Sequence, residues 1–157
     1  MAENRFMVDH MLGRLGRWMR ILGYDAEYVS TGCEDDKVIE LAAKRDAILV
    51  TRDSMLARRF HGSFLVRSTD IDEQIREFTS SFPPDLTLMM TRCTQCNGLL
   101  EHRNKSDLKG RLETGTWNSY EEFLVCSSCG RIYWKGPHYR NIIKKLRGIL
   151  KLDEDTL

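Results

Sequence analysis

The sequence predicts a three-layer α/β domain with a mainly parallel sheet, followed by a small cysteine-rich module and a closing helix. Two observations support this prediction. Strand-like and helical segments alternate over about the first 80 residues, which is typical of a parallel sheet covered by helices. From Met89 onward the pattern changes to two Cys-x-x-Cys pairs, glycines and short apolar runs. A chain of 157 residues can form one core and a small stapled module.

The first domain is predicted to contain four strands that alternate with four helices. In chain order these are a strand at 4–10, a helix at 11–23, a strand at 25–30, a helix at 35–45, a strand at 47–53, a helix at 54–60, a strand at 63–68 and a helix at 70–82. The run Ala-Ile-Leu-Val in the third strand is typical of a buried parallel strand. Pro83 and Pro84 interrupt the alternation, and we expect a domain boundary there.

The helix at 11–23 is predicted to be amphipathic. Its expected buried face consists of Met11, Leu12, Leu15, Trp18, Met19 and Leu22. Its arginines, Arg14, Arg17 and Arg20, are expected on the opposite, solvated face. The domains are predicted at 1–86 and 87–157. In the second domain, Pro137 suits the first turn of a closing helix at 137–150.

The net charge of +1 hides an asymmetry along the chain. Residues 1–92 carry 13 basic and 15 acidic side chains, whereas residues 93–157 carry 11 basic and 8 acidic ones. Within 131–151 there are seven basic residues and no acidic one. Such a segment suggests a polyanionic partner, although a solvated helix face gives the same pattern. Neither a signal peptide nor a membrane span is recognisable, so we expect a cytoplasmic protein without a membrane partner.

The four paired cysteines predict a structural zinc site. In a reducing compartment two Cys-x-x-Cys pairs are typical of metal ligands, and tetrahedral Zn²⁺ accepts four thiolates. These ligands are Cys93, Cys96, Cys126 and Cys129. Because all four positions would be filled by the protein, this zinc is expected to hold structure and to perform no chemistry. We expect Gly98 and Gly130 to permit the tight turns, and Cys33 to be a bystander.

Basic and aromatic side chains follow the second cysteine pair and predict contacts with RNA. Aromatic faces stack on unpaired bases and cations pair with phosphates. The predicted RNA-binding residues are Arg131, Tyr133, Trp134, Lys135 and His138. Alternatively, Tyr133 and Trp134 pack the small core of the module, and we expect at least one of them to do so.

Four aspartates are predicted to lie at one edge of the parallel sheet. Asp9 and Asp53 follow the first and third strands, and Asp35 and Asp36 begin the helix between them. Because the carboxyl ends of parallel strands share an edge, these acids should meet there and hold Mg²⁺ or Mn²⁺. Such an ion activates water and neutralises charge at a phosphodiester. Each aspartate taken singly is also a common helix cap.

Arginines near these acids are predicted to bind the RNA backbone. Arg14 and Arg17 lie in the helix that follows Asp9, and Arg52 directly precedes Asp53. A solvated surface role is the alternative for each of them. Thr51 is expected to orient an acid or a water molecule, and His10 to have no catalytic role.

Three stretches of the chain resemble the Mut-seven C-terminal RNase domain family: MVDHMLGRLGRWMRILGYDAEY, EDDKVIELAAKRDAILVTRDSMLARR, and CTQCNG followed by CSSCGRIYWKGPHY. Members of this family pair a PIN-like nuclease domain with a zinc ribbon. The resemblance implies a metal-dependent endoribonuclease whose acids correspond to Asp9, Asp35 and Asp53. Asp36 is the alternative to Asp35, and either Asp70 or Asp72 would provide a fourth acid.

Together these observations predict an enzyme that hydrolyses RNA and takes no small-molecule substrate. The RNA would be a tRNA, an rRNA or part of a ribosomal particle. A non-catalytic RNA- or ribosome-binding factor of the same architecture is the main alternative. A DNA-binding regulator is a third, although the sequence has no helix-turn-helix pattern.

Overall fold

The computed structural model describes residues 4–156 and contains a parallel four-stranded sheet. Its strands are β1 (Arg5–Val8), β2 (Asp25–Tyr28), β3 (Ala47–Thr51) and β4 (Ser63–Leu65), arranged in the order β2-β1-β3-β4. In the register of the central strands, Val8 pairs with Tyr28 on one side and with Val50 on the other. The predicted parallel sheet is therefore confirmed, and the carboxyl ends of all four strands lie at one edge.

Helices cover both faces of this sheet. They are α1 (Gly13–Ile21), α2 (Asp35–Lys44), α3 (Ser54–Arg59) and α4 (Ile71–Ser81). Met7 of β1 belongs to a buried cluster with Val38 of α2 and Leu56 of α3. Side chains alternate along a strand, so the neighbouring Phe6 faces the other side. There it packs edge to face against Phe78 of α4, with ring centroids 5.0 Å apart. The predicted three-layer α/β arrangement is thus confirmed.

The second sheet is antiparallel and has three strands. These are β5 (Leu100–Arg103), β6 (Phe123–Cys126) and β7 (Ile132–Tyr133), in that order, and the same part of the chain contains the helices α5 (Thr114–Ser119) and α6 (Pro137–Leu150). Leu108 and Phe123 are each 1% exposed and form its small core with Val125. Helix α6 begins with Pro137 and ends at Leu150, as the sequence predicts.

The chain divides into two compact units, Met1–Asn97 and Gly98–Leu157. By its contacts, the segment 87–97 with the first cysteine pair belongs to the first unit. The boundary at 86 between independently folding domains stays a prediction. Among the helices at residues 4–156, none has both the length and the apolar character needed to cross a bilayer.

The expected faces of the first helix are wrong at two positions. Arg20, expected in solvent, is 3% exposed, and Met11, expected in the core, is 50% exposed. Arg20 is buried because the backbone carbonyls of nearby Ala26 and of Thr94 and Gln95, distant in the chain, accept its hydrogen bonds. Met11 is exposed because the chain there forms a 3-10 turn, His10–Leu12, ahead of α1.

Several elements also differ in length or kind from the expectation, and the strands expected at 4–10 and 47–53 are shorter, at Arg5–Val8 and Ala47–Thr51. The fourth strand ends at Leu65 and not at Ser68, because the Glu77 carboxylate accepts the backbone N–H groups of Arg67 and Ser68, both at 2.8 Å. Strand β5 and helix α5 have no counterpart in the sequence prediction.

Candidate functional site

The four paired cysteines come together and could hold one metal ion. Their sulfur atoms all lie within 4.8 Å of one another, with Cys93 and Cys126 buried and Cys96 and Cys129 exposed. A tetrahedron with Zn–S bonds of about 2.3 Å has S–S edges of about 3.8 Å, so this group suits Zn²⁺ after a small contraction. Cys33 is not part of the group and packs beside a core cluster.

Both cysteine pairs close in the same way. The N–H that follows each pair, from Asn97 and from Gly130, donates 3.0 Å to the carbonyl of the pair's first cysteine. Asn97 and Gly130 have φ values of 67° and 73°. The expected role of Gly98 is therefore wrong: Asn97 takes the left-handed conformation, which asparagine tolerates better than most residues. Gly98 is needed for space, since a Cβ there would lie 2.6 Å from Ser128 Oγ.

Buried Arg20 binds the backbone of the first cysteine pair. Its Nη1 donates to the carbonyls of Thr94 at 3.2 Å and Gln95 at 2.9 Å, and its Nε donates to Ala26 at 2.7 Å. Its guanidinium also lies over the Tyr28 ring, 4.0 Å from the centroid. One side chain thus joins α1, β2 and the metal-binding loop.

The electrostatics of Arg20 follow from this position. Burial lowers the pKa of its guanidinium from the usual value, while the opposite charges of Tyr28, Cys93 and Cys96 act to raise it. Because arginine stays protonated in proteins, Arg20 places a positive charge beside the thiolates.

At the carboxyl edge of the sheet, Thr51 connects Asp9 and Asp53. Asp9 is 5% exposed at the end of β1, and its Oδ2 accepts a 2.7 Å hydrogen bond from Thr51 Oγ1. The Asp53 backbone N–H donates to the same hydroxyl at 3.0 Å. His10 Nδ1 lies 2.9 Å from Asp9 Oδ1. Both oxygens of the buried carboxylate are therefore held in place.

Asp53 is also the cap of α3. Its Oδ1 accepts hydrogen bonds from Met55 N at 2.8 Å and Leu56 N at 3.1 Å. Asp70 caps α4 in the same manner, through Asp72 N and Glu73 N. Two of the candidate acids are therefore helix caps, and the backbone N–H of Asp53 also binds the Thr51 hydroxyl that donates to Asp9.

Asp35 and Asp36 have a different partner. Both are exposed at the start of α2 and form ion pairs with Arg59 of α3, at 3.3 Å for Asp35. Within residues 4–156, the only group of three or more side chains placed to share a metal ion is the cysteine group. The Thr51 hydroxyl thus links the Asp9 carboxylate to the backbone of Asp53, whereas the α2 carboxylates pair with Arg59.

A family comparison identifies the kind of domain to which the chain belongs. The family model described as the Mut7-C RNase domain matches residues 4–146, which is most of the chain. The chain belongs to the Mut7-C RNase domain family. Neither the curated proteins nor the solved structures contain a significant match to it. Membership of the Mut7-C family indicates an RNA-related, nuclease-like role.

In this Mut7-C RNase domain, the predicted backbone-binding arginines Arg14, Arg17 and Arg52 are exposed. In the second unit, Arg131, Lys135 and His138 are exposed as well. Their side chains are accessible to an anionic ligand.

The aromatic residues of the second unit have a structural role. Trp134 packs near Phe123 and Tyr120, with ring centroids 6.4 and 6.5 Å away, although 36% of it is exposed. Tyr133 is half-buried in β7. The expectation that at least one of this pair packs the module is confirmed for Trp134.

Sequence reasoning missed Arg20, Asn97 and the contact of His10 with Asp9. Only the last had a local signal, because the two residues are adjacent. Asn97 Oδ1 accepts from Ala26 N at 3.1 Å, and its Nδ2 donates to Asp25 Oδ1 at 2.7 Å. These bonds join residues more than 70 positions apart, and no periodicity indicates them.

Proposed function

We propose that the chain is a metal-dependent endoribonuclease whose site lies at the carboxyl edge of the parallel sheet. The observation that supports this most is the connection of Asp9 and Asp53 through Thr51, in a chain of the Mut7-C RNase domain family. Carboxylate oxygens are the donors that Mg²⁺ and Mn²⁺ prefer, so these residues fit such an ion.

The chain's own residues preorganise the site. Thr51 fixes the orientation of Asp9, and the backbone of α3 fixes that of Asp53. The cap uses Asp53 Oδ1, so its Oδ2 keeps the capacity to bind a cation. Asp35, or its neighbour Asp36, would complete the set after exchanging Arg59 for the ion. When bound, Mg²⁺ or Mn²⁺ neutralises phosphate charge and lowers the pKa of water.

Exposed side chains around these acids would bind the substrate. Arg14, Arg17 and Arg52 are suited to backbone phosphates. Met11 and Met55, which are 50% and 73% exposed, lie two residues beyond Asp9 and Asp53 and offer apolar surface to unpaired bases. Cationic and exposed apolar side chains at one edge of the sheet favour single-stranded RNA, whose bases are unpaired.

The second unit would position the RNA and thereby determine where it is cut. This proposal is supported by the exposed cations Arg131, Lys135 and His138 and by the exposed third of Trp134. Tyr133 lies next to Trp134 and would contribute its exposed part. The Zn²⁺ held by the four cysteines would keep this unit and the first cysteine loop folded.

A non-catalytic RNA- or ribosome-binding factor is the second candidate. The ion pairs of Arg59 with Asp35 and Asp36 favour it, because the one guanidinium charge offsets part of the charge of these two carboxylates without a metal. This candidate predicts RNA affinity without cleavage, and an Asp53→Asn protein that functions normally.

The test is cleavage of structured and unstructured RNA by zinc-loaded protein, with Mg²⁺ and Mn²⁺ either omitted or added. A chelator such as EDTA would also remove zinc. Leaving out Mg²⁺ and Mn²⁺ instead tests the catalytic ion while the zinc stays bound. We expect cleavage that requires the added ion and falls by about 10²–10³-fold in Asp9→Asn and Asp53→Asn. Asp85→Asn is the control, because Asp85 caps a 3-10 turn with its carboxylate.

Cleavage without added ion, or at an unchanged rate in Asp9→Asn, would refute the metal site. RNA binding without cleavage under every condition would favour the second candidate. An Asp70→Asn protein examined in parallel shows whether Asp70 is the fourth acid.

A further inference from the structure

The first cysteine loop covers the free edge of the parallel sheet. β2 is the outermost strand on one side, so its outward backbone groups lack a strand partner. Within Ala26 both of these groups are used: its N–H donates to Asn97 Oδ1 at 3.1 Å, and its carbonyl accepts from Arg20 Nε at 2.7 Å. At Ala26, Asn97 of the metal-binding loop and Arg20 of α1 together therefore take the place of a further strand.

Arg20 is the centre of this arrangement. Its guanidinium holds the carbonyls of Thr94 and Gln95, which lie between the two cysteines of the first pair. A planar fork with several fixed donors can reach Ala26 and both loop carbonyls simultaneously, whereas the single ammonium of lysine cannot. The conformation of the Cys93–Cys96 loop is thus supported by buried Arg20 in addition to Asn97.

A second connection runs from Arg20 toward Asp9. Tyr28 lies under the guanidinium, and its hydroxyl donates to the Gly13 carbonyl at 2.7 Å. Gly16 provides the room, because a Cβ there would clash with the Tyr28 ring. Gly13 begins α1, directly after the 3-10 turn whose first hydrogen bond is accepted by the Asp9 carbonyl.

We propose that Arg20 is a positioning residue through which metal at the four cysteines orders the Asp9 edge of the sheet. A metal ion fixes the first cysteine loop, the loop fixes Arg20, and Arg20 with Tyr28 fixes the start of α1 beside Asp9. The structural metal then supports the candidate nuclease site as well as the second unit. Only the effect on cleavage depends on the proposed function.

The first test compares Arg20→Lys with Arg76→Lys, a half-exposed helix arginine that pairs with Glu73 on the surface. We expect both proteins to bind one zinc per chain. In Arg20→Lys the zinc affinity, measured by competition with a chelating dye, should fall by about 10- to 100-fold, as for other residues that orient metal ligands. The affinity of Arg76→Lys should match that of the wild type.

The second test follows amide hydrogen exchange with zinc bound and removed. In the wild type, zinc removal should accelerate exchange at Ala26 and over residues 9–16, while β3 (Ala47–Thr51) stays protected. Tyr28→Phe keeps the ring but removes the bond to Gly13. It should leave the zinc affinity and the response of Ala26 unchanged, and abolish the response of 9–16.

The proposal is overturned if zinc removal leaves 9–16 unchanged in the wild type, or if β3 loses protection equally. It also fails if Arg20→Lys has the zinc affinity of Arg76→Lys. If Arg20→Lys does not fold, hydrogen exchange of the wild type and of Tyr28→Phe still tests the proposal. Where RNA is cleaved, Tyr28→Phe should lower kcat and leave KM unchanged. A protein without cleavage would refute the nuclease function and leave the exchange results valid.

Discussion

Asp53 at the sheet edge makes two kinds of contact, one through its side chain and one through its backbone N–H. Asp53 caps α3 through Oδ1 and lies next to the hydroxyl that orients Asp9. Asparagine can accept the same backbone hydrogen bonds as aspartate, because its side-chain carbonyl replaces one carboxylate oxygen. Alanine cannot. Comparing asparagine with alanine at position 53 therefore separates the effect of the helix cap on stability from the effect of the negative charge.

For Asp53→Asn we expect a free energy of unfolding close to that of the wild type, and for Asp53→Ala a loss of about 1 kcal/mol. Urea unfolding followed by circular dichroism measures both. Asp70→Ala, which removes the equivalent cap of α4, should cost about as much as Asp53→Ala. If Asp53→Asn is as unstable as Asp53→Ala, the negative charge, and not the cap, stabilises the fold.

At the residue scale, sequence reasoning succeeded where chain geometry alone fixes a position. Asp9 and Asp53 follow neighbouring parallel strands, so their shared edge follows from topology. Arg20 could not be predicted, because helical periodicity places it with Arg14 and Arg17 on a polar face. Its burial depends on carbonyls of Thr94 and Gln95, more than 70 residues away.

At the element scale, the predictable parts are those with local signals. α6 has proline at its first position and buries Ile142 and Leu146 from an amphipathic pattern. β5 has no such signal, since three of its four residues are exposed, and it becomes a strand by pairing with β6. The secondary structure of such segments is determined by the parts of the fold with which they pair.

Aromatic packing between β1 and α4 is another element-scale feature. Tyr24 packs edge to face against Phe6 and Phe78, and its hydroxyl donates to the Phe82 carbonyl at 2.5 Å. Burial raises the pKa of Tyr24 above its usual value of 10.0. In the folded protein the neutral phenol is therefore retained at a pH where the unfolded chain ionises.

This shift predicts a loss of stability at alkaline pH. Because the folded pKa is the higher one, the contribution of Tyr24 is fully present below pH 10.0, the usual value, and declines as the pH rises above it. In Tyr24→Phe we expect a cost of about 1 kcal/mol at pH 8 from the lost hydrogen bond, and a shallower decline above pH 10.0. Urea unfolding from pH 8 to 11 measures the slope.

The pKa of Tyr28 is also raised by burial, so Tyr28 contributes to the alkaline decline with the same sign. A Tyr24→Phe, Tyr28→Phe double variant should have the shallowest slope. If Tyr24→Phe loses stability with pH as steeply as the wild type, other groups control alkaline unfolding.

At the scale of the whole molecule, the charge distribution along the chain matches two proposed functions, cation binding and RNA binding. Residues 1–92 have an excess of acidic side chains, where we propose that a cation binds, and residues 93–157 have an excess of basic ones. Counterion release from RNA favours binding to the basic part whatever the base sequence. Affinity and cleavage should therefore respond differently to salt and to substitution.

Exposed Lys135, in the basic segment 131–151, provides the test of this division. If it contacts one phosphate of single-stranded RNA, Lys135→Gln should weaken binding to all RNA sequences alike. It should also reduce the slope of log affinity against log salt by about 0.7. Fluorescence anisotropy between low and physiological salt measures this slope. Lys109→Gln is the matched control, because Lys109 is an exposed lysine of the second unit outside the segment. An unchanged slope in Lys135→Gln, or stronger competition by duplex DNA than by RNA, would show that this surface does not serve RNA.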